Sequence, residues 1–230
     1  MDLRIVNTCN NNCLYCLEQE LRTKDKFIPA EIIHTTLLKH KETNLTFYWG
    51  NPLLHPDLEV IISNAQKIWY NNIWLLSNTG WLSSEYLTAL IDKGLSTFWF
   101  YFYWFQDDIH KLYSGNNISI KQLCKNIDLL SQSNLYLKCI MHVHKWNIKT
   151  LTRDIEILYR KFHIKTFEFI DYMLVDRAKR YEKLLAYNIE DYSEERDILF
   201  EKIKELNIQV KFVRFNKDFF WKYQEYNDDK

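Results

Sequence analysis

The 230-residue sequence is short of punctuation and carries no net charge. Only 4 glycines and 3 prolines interrupt it, and no internal repeat is visible. Lysine plus arginine equals aspartate plus glutamate at 30 each. That balance leaves no electrostatic footprint for nucleic acid or for an anionic membrane. The longest unbroken apolar run, residues 98–105, is too short to span a bilayer. The opening Met1-Asp2-Leu3-Arg4 lacks the charged-then-apolar layout of a signal peptide. There are 5 cysteines. Their clustering argues for metal ligands in a reducing compartment over a disulfide framework, and the expected location is the cytoplasm. With 47% hydrophobic and 26% charged residues, a sizeable core is expected and disorder is not. The length suits one domain, or one domain with an appendage.

What the chain has in quantity is strand alternating with helix. Strands are expected at residues 3–7, 45–49, 73–76, 98–105, 135–143, 166–170 and 208–213. Between them Pro29 opens a helix with Ile33 and Leu37 inward, widened by Ile32 and Leu38. Leu58, Ile61, Ile62 and Ala65 give the next helix its apolar face. Ser83 reads as the N-cap of a third helix and Gly94 as its stop. Ser119 with Gln122 forms a capping box for a fourth, residues 148–162 form a fifth, and Asp191 caps the last. Residues 171–189 show no period and read as a long connection. The aromatic run 98–105 does not alternate, as expected of a parallel strand covered on both faces. The fold class is therefore α/β, built from parallel βαβ units, with an open barrel or a doubly wound sheet both compatible. Either architecture puts its site at the C-terminal strand ends.

Three cysteines stand together as Cys9-Asn10-Asn11-Asn12-Cys13-Leu14-Tyr15-Cys16, a C-x3-C-x2-C spacing. Thiolates are soft ligands suited to zinc and to iron–sulfur clusters. A structural zinc site wants four ligands, and the nearest histidine, His34, lies outside the usual paired spacing. A [4Fe–4S] cluster on three cysteines leaves one iron open to a further ligand.

This stretch, with the aromatic Tyr15 just before the third cysteine, resembles the radical S-adenosylmethionine (radical SAM) superfamily. The resemblance implies a partial parallel (β/α)6 barrel over residues 1–170, with an extra C-terminal helix and strand in an extension at 171–230. It implies a [4Fe–4S] cluster on Cys9, Cys13 and Cys16, whose open iron chelates S-adenosyl-L-methionine. Reductive cleavage of that cofactor gives a 5′-deoxyadenosyl radical that abstracts hydrogen from a substrate. An electron donor such as flavodoxin or ferredoxin is implied as a partner. Trp49-Gly50-Asn51-Pro52 resembles the family's Gly-Gly-Glu-Pro at the end of strand two, with Trp49 and Asn51 as departures. An amide oxygen at Asn51 would accept from the cofactor's ammonium without a charge. Ser77-Asn78-Thr79-Gly80 resembles the Thr-Asn-Gly after strand three. Tyr15, Gly50, Asn51, Pro52, Ser77 and Asn78 are thus the expected cofactor contacts. On strand four, where the family has small polar residues, this chain has Tyr101 and Tyr103.

The remaining candidates have bland readings beside them. His142 and His144 share a face at the end of strand five and suit substrate contact or simple surface placement. Cys124 and Cys139 read as buried small hydrophobes. Arg177-Ala178-Lys179-Arg180 reads as a solvated face. No cysteine follows Cys139, so the auxiliary-cluster domain of many peptide-modifying relatives is not expected. The aromatic-rich mouth and low glycine count favour a peptide or protein substrate. A small metabolite, a barrel kept as a binding module, and a zinc-stabilised interaction domain are the alternatives.

Overall fold

The computed structural model describes residues 1–17, 25–116, 118–173, 176–220 and 223–226. Seven strands form one sheet in sequence order: β1 (Asp2–Leu3), β2 (Asn44–Phe47), β3 (Asn72–Ser77), β4 (Leu95–Tyr101), β5 (Tyr136–Val143), β6 (Thr166–Asp171) and β7 (Gln209–Val213). Every neighbouring pair is parallel. Among the described residues β1 and β7 remain the two edges, so the sheet is an unclosed partial barrel. The helices between strands are α1 (Ala30–Lys39), α2 (Leu58–Ile68), α3 (Ser84–Asp92), α4 (Asp107–Ser114), α5 (Ile120–Ser131), α6 (Leu151–Phe162), α7 (Asp176–Lys179), α8 (Glu182–Leu185) and α9 (Ser193–Leu206). No helix of the described residues is long and apolar enough to cross a membrane.

The sheet's two faces differ in chemistry. Toward the helices it presents Phe98, Phe100, Cys139, Met141, Phe167 and Phe169, all 0% exposed and part of one continuous core. The other face carries Trp99, Tyr101, Lys138, His142 and Glu168, which are only half-buried. There the Lys138 ammonium lies 3.7 Å from the centre of the Trp99 ring and 2.9 Å from Glu168 Oε2. The aromatic strand alternates after all. Phenylalanine faces the helices, while tryptophan and tyrosine, which carry a polar atom, face the open side. A scale that scores all aromatics as apolar hides this period.

Several boundaries differ from expectation. β4 ends at Tyr101, and residues 102–105 turn over the sheet's end with Phe102, Tyr103 and Trp104 buried. β1 is cut to two residues; Val6 makes only an isolated antiparallel bridge to Phe27. Ile32 and Leu38 point to solvent, so the inner face of α1 is the narrower Ile33–Leu37 stripe. Ser83 does cap α3, accepting from Tyr86 N at 3.1 Å. Ser119 caps α5, but Gln122 turns its side chain to Asn126 and leaves the capping box half made. Asp191 lies in a 3-10 turn before α9, whose N-cap position is Tyr192. The connection 171–189 contains α7 and α8. Helix α4 was not anticipated, although Asp107 and Asp108 in its first turn and Gly115 in the left-handed conformation after its end are ordinary helix signals.

Two outcomes test this packing. Phe98→Ala should cost about 3–5 kcal/mol by urea unfolding, as large-to-small changes in a sealed core do. Ser83→Ala should cost about 1 kcal/mol, the worth of one N-cap. Equal losses would contradict the layering. A pH dependence follows at the end of β6, where Tyr187 donates to Asp171 Oδ1 at 3.0 Å. Burial pushes the Asp171 carboxyl up to about 6, against the pull of Tyr187. The folded state then holds the proton more tightly than the unfolded one, so this group's contribution to stability falls as pH rises from about 4 to about 6. Thermal unfolding of Asp171→Asn across that window should lose this slope.

Candidate functional site

A cavity of about 290 Å³ opens at the C-terminal ends of the strands. It is lined by Arg4, Val6 and the loop that follows, by Tyr48, Trp49 and Gly50 after β2, and by Leu76 and Asn78 at β3. Tyr101 and Tyr103 at β4, His142 on β5, Ile170 on β6, and Val213 and Arg214 at β7 complete it. Cys9, Cys13, Cys16 and Tyr15 all border this space, and none of the three cysteines is in a disulfide among the described residues. Among the described residues no three His, Cys, Asp or Glu side chains lie close enough to share one metal ion. The thiols instead surround a cavity, an arrangement suited to ligands that each take a different iron. Their all-sulfur chemistry fits an iron–sulfur cluster.

The cysteine loop is anchored by the three residues between its first two cysteines. Asn10 Oδ1 accepts from Asn51 Nδ2 at 2.8 Å and from Asn78 Nδ2 at 2.9 Å, tying the loop to the turns after β2 and β3. Asn11 is 2% exposed; its oxygen accepts from Asn116 Nδ2 and its nitrogen donates to Tyr103 Oη at 3.4 Å. Asn12 Oδ1 accepts from Arg177, which is therefore more than part of a solvated face. Backbone bonds add to this: Asn12 N to Ser114 O at 2.9 Å and Leu14 N to Tyr113 O at 3.1 Å bind the loop to the end of α4. Asn51 N donates to Thr8 O at 2.9 Å. Glycine permits these close approaches. A Cβ on Gly50 would stand 2.3 Å from Thr8 O, and one on Gly115 would stand 2.2 Å from Asn12 O.

The turn after β2 runs through two left-handed residues, Trp49 (φ 74) and Gly50 (φ 61). Trp49 holds this positive φ at a steric cost that glycine would not carry. Its ring lies 5.1 Å from the Arg4 guanidinium carbon. Asn51 is 0% exposed and does not line the cavity; nor do Pro52 and Ser77. Both ends of the Asn51 amide are used. Its oxygen accepts from Ser77 Oγ at 2.8 Å and from Leu53 N at 3.3 Å, and its nitrogen serves Asn10 and Asn78. The structure places Asn51 behind the wall, holding the residues that form it.

Burial pushes the Cys13 thiol up to about 12, while the Tyr103 hydroxyl 3.4 Å away pulls it down. Burial also raises the Tyr15 and Tyr103 phenols well above their ordinary range. His142 is held down to about 3 by burial and by Arg214, so its imidazole is neutral in the cavity. Its ring lies 4.1 Å from Tyr15 and 5.9 Å from Tyr101. His144 does not share that setting. It lies past the end of β5, stacks on Tyr113 at 4.3 Å and accepts from Trp146 N through Nδ1. Cys139 is sealed in the core and Cys124 is half-buried on α5; neither borders the cavity. Sequence reasoning passed over Asn10, Asn11, Asn12 and Asn116. The first three carried a signal, the unbroken run of asparagine inside the cysteine motif.

The model of the radical SAM superfamily matches residues 3–158, more than half of the chain. In fold the chain is similar to Streptococcus suis SuiB bound to precursor peptide SuiA, with a TM-score of 0.74 and 13% identity over 97% of this chain and 51% of that one. It is also similar to anSMEcpe with bound AdoMet and Kp18Cys peptide, with a TM-score of 0.71 and 14% identity over 91% and 63% of the two chains. A third likeness is to TYW1 with a lysine-pyruvate adduct bound, with a TM-score of 0.59 and 15% identity over 87% and 70%. The chain spans about half the length of SuiB. At these identities the likenesses speak for the fold, and the family model speaks for membership: this chain belongs to the radical SAM superfamily.

Proposed function

We propose that the protein is a radical SAM enzyme acting on a peptide or protein. The observation that carries this reading is the set of three cysteines on one anchored loop, bordering a cavity to which all seven strand ends contribute. Cys9, Cys13 and Cys16 hold a [4Fe–4S] cluster. Tyr15, Gly50 and Asn78 flank S-adenosylmethionine, while Asn51, Pro52 and Ser77 fix the turns that position Gly50 and Asn78. When bound, the cluster and this cofactor together supply a 5′-deoxyadenosyl radical that abstracts hydrogen from a substrate. The protein's own part is placement and shielding. Tyr101, Tyr103 and His142 give the cavity a wall of half-polar rings, and the neutral imidazole can accept or donate a hydrogen bond without adding charge. In this reading residues 1–170 hold the cofactors, and 171–230 form an extension that adds Val213 and Arg214 to the wall. A flavodoxin or ferredoxin supplies the electron.

The peptide assignment is supported by the complexes of SuiB with SuiA and of anSMEcpe with Kp18Cys peptide, which share this fold. It is supported also by the aromatic rim of Tyr48, Trp49, Tyr101 and Tyr103, since rings bury much area at little entropic cost. Co-expression with neighbouring short peptide genes, followed by mass spectrometry, tests it. A mass change in the peptide that depends on Cys13 is the expected result. Turnover of a small metabolite with no modified peptide would overturn the assignment.

Reconstituted without oxygen, the wild type should bind about four irons and four sulfides. Alanine at Cys9, Cys13 or Cys16 should abolish the cluster, whereas Cys124→Ala and Cys139→Ala should keep it. Tightly bound zinc with refusal of iron would sink the idea. A second outcome concerns Asn51. A carboxylate there has no N–H to give Asn10 and Asn78, and it places acceptor against acceptor in a dry site. Asn51→Asp should therefore lower stability by about 1–3 kcal/mol in urea unfolding. Asn51→Glu should weaken cofactor binding in calorimetry; tighter binding would mean that residue 51 meets the ammonium directly.

A further inference from the structure

Tyr103 departs from the small polar residues of the family pattern, and its surroundings give the departure a use. Asn116 Oδ1 accepts from Ile118 N at 2.8 Å and from Ser114 Oγ at 3.3 Å, which fixes the orientation of that amide. Its nitrogen then donates to Asn11 Oδ1. Asn11 must consequently turn its own nitrogen the other way, to Tyr103 Oη at 3.4 Å. A phenol oxygen that accepts this bond has one proton left to give. The atom it meets is Cys13 Sγ, 3.4 Å away. A cysteine that ligates iron carries no proton, so the tyrosine is the donor.

The site holds this geometry. Tyr103 is 6% exposed and Asn11 2%. The Tyr103 ring is stacked on Tyr101 at 6.4 Å and 11° and packed by His110 at 5.5 Å. Bulk water has little access to take the hydroxyl's place, and a hydrogen bond in a dry site is stronger than one in water. Reducing a cluster adds negative charge to its ligand sulfurs, so a donor aimed at one of them stabilises the reduced form more than the oxidised form. Hydrogen bonds to the sulfurs are one of the levers that set such potentials.

Resting on the assignment of Cys9, Cys13 and Cys16 as cluster ligands, we infer that Tyr103 donates a hydrogen bond to the Cys13 thiolate and raises the cluster's reduction potential. Tyr103 is a positioning and tuning residue in this account; it takes no part in bond making.

The test uses anaerobically reconstituted wild type, Tyr103→Phe and Tyr113→Phe. Tyr113 is a buried tyrosine stacked on His144 and serves as the control for losing a hydroxyl. Iron and sulfide are counted first, and the potential is then measured by potentiometry followed by electron paramagnetic resonance. Tyr103→Phe should keep the cluster and shift its reduction equilibrium about tenfold toward the oxidised form, ~59 mV for a one-electron couple. The reduced cluster should also lose one exchangeable-proton coupling, while Tyr113→Phe changes neither. An unchanged potential and coupling in Tyr103→Phe would overturn the inference. So would an equal shift in Tyr113→Phe, or loss of the cluster in Tyr103→Phe with native circular dichroism. Wild type that assembles no cluster would overturn the ligand assignment itself, and the inference with it.

Discussion

The arrangement rests on how a short irregular loop is held still. Between Cys9 and Cys13 lie three asparagines, each bonded to a different part of the fold: Asn10 to the turns after β2 and β3, Asn11 to Asn116 and Tyr103, and Asn12 to Arg177. A loop pinned at three successive residues presents its thiols before any ligand arrives, which lowers the entropy cost of assembling a cluster. Backbone bonds to Tyr113 and Ser114 add a fourth support, and they come from helix α4. Two positive-φ glycines, Gly50 and Gly115, let neighbouring backbone come within contact of the loop where a side chain would not fit. A chain with so little glycine places it where the loop needs it.

The general architecture could be read from the sequence because each strand and helix carries its own local signal. Ser83 and Ser119 marked helix starts, Leu58 to Ala65 marked a buried stripe, and the seven strands fell near their expected places. The boundary errors have physical causes. Residues 98–105 are all apolar or aromatic, so nothing local says that the ladder stops at Tyr101. Ile32 and Leu38 fit the inner face by spacing alone, but both stand exposed on α1, which buries Ile33 and Leu37.

Within the site, cysteine has one dominant chemistry that its spacing expresses, and an amide has not. Cysteine at C-x3-C-x2-C announces its use. Asparagine does not, because one amide can face a ligand or satisfy its neighbours, and only the fold decides. Asn51, an expected cofactor contact, has both ends of its amide bonded to Asn10, Asn78, Ser77 and Leu53. An amide at 51 can donate to the asparagine loop in a way that a glutamate cannot, so Asn51 and the Asn10–Asn12 run belong to one solution. His142 and His144 make the same point: two residues apart in sequence, one borders the cavity and the other is a packed core imidazole.

We propose that this preformed three-cysteine loop holds a four-iron cluster with one iron left for S-adenosylmethionine. Mössbauer spectroscopy of protein reconstituted with iron-57, recorded with and without the cofactor, addresses it most directly. A cubane spectrum is expected in which about a quarter of the iron signal shifts on adding S-adenosylmethionine, since one iron lacks a thiolate. A cluster whose spectrum is indifferent to the cofactor, or iron bound only as isolated ions, would contradict it.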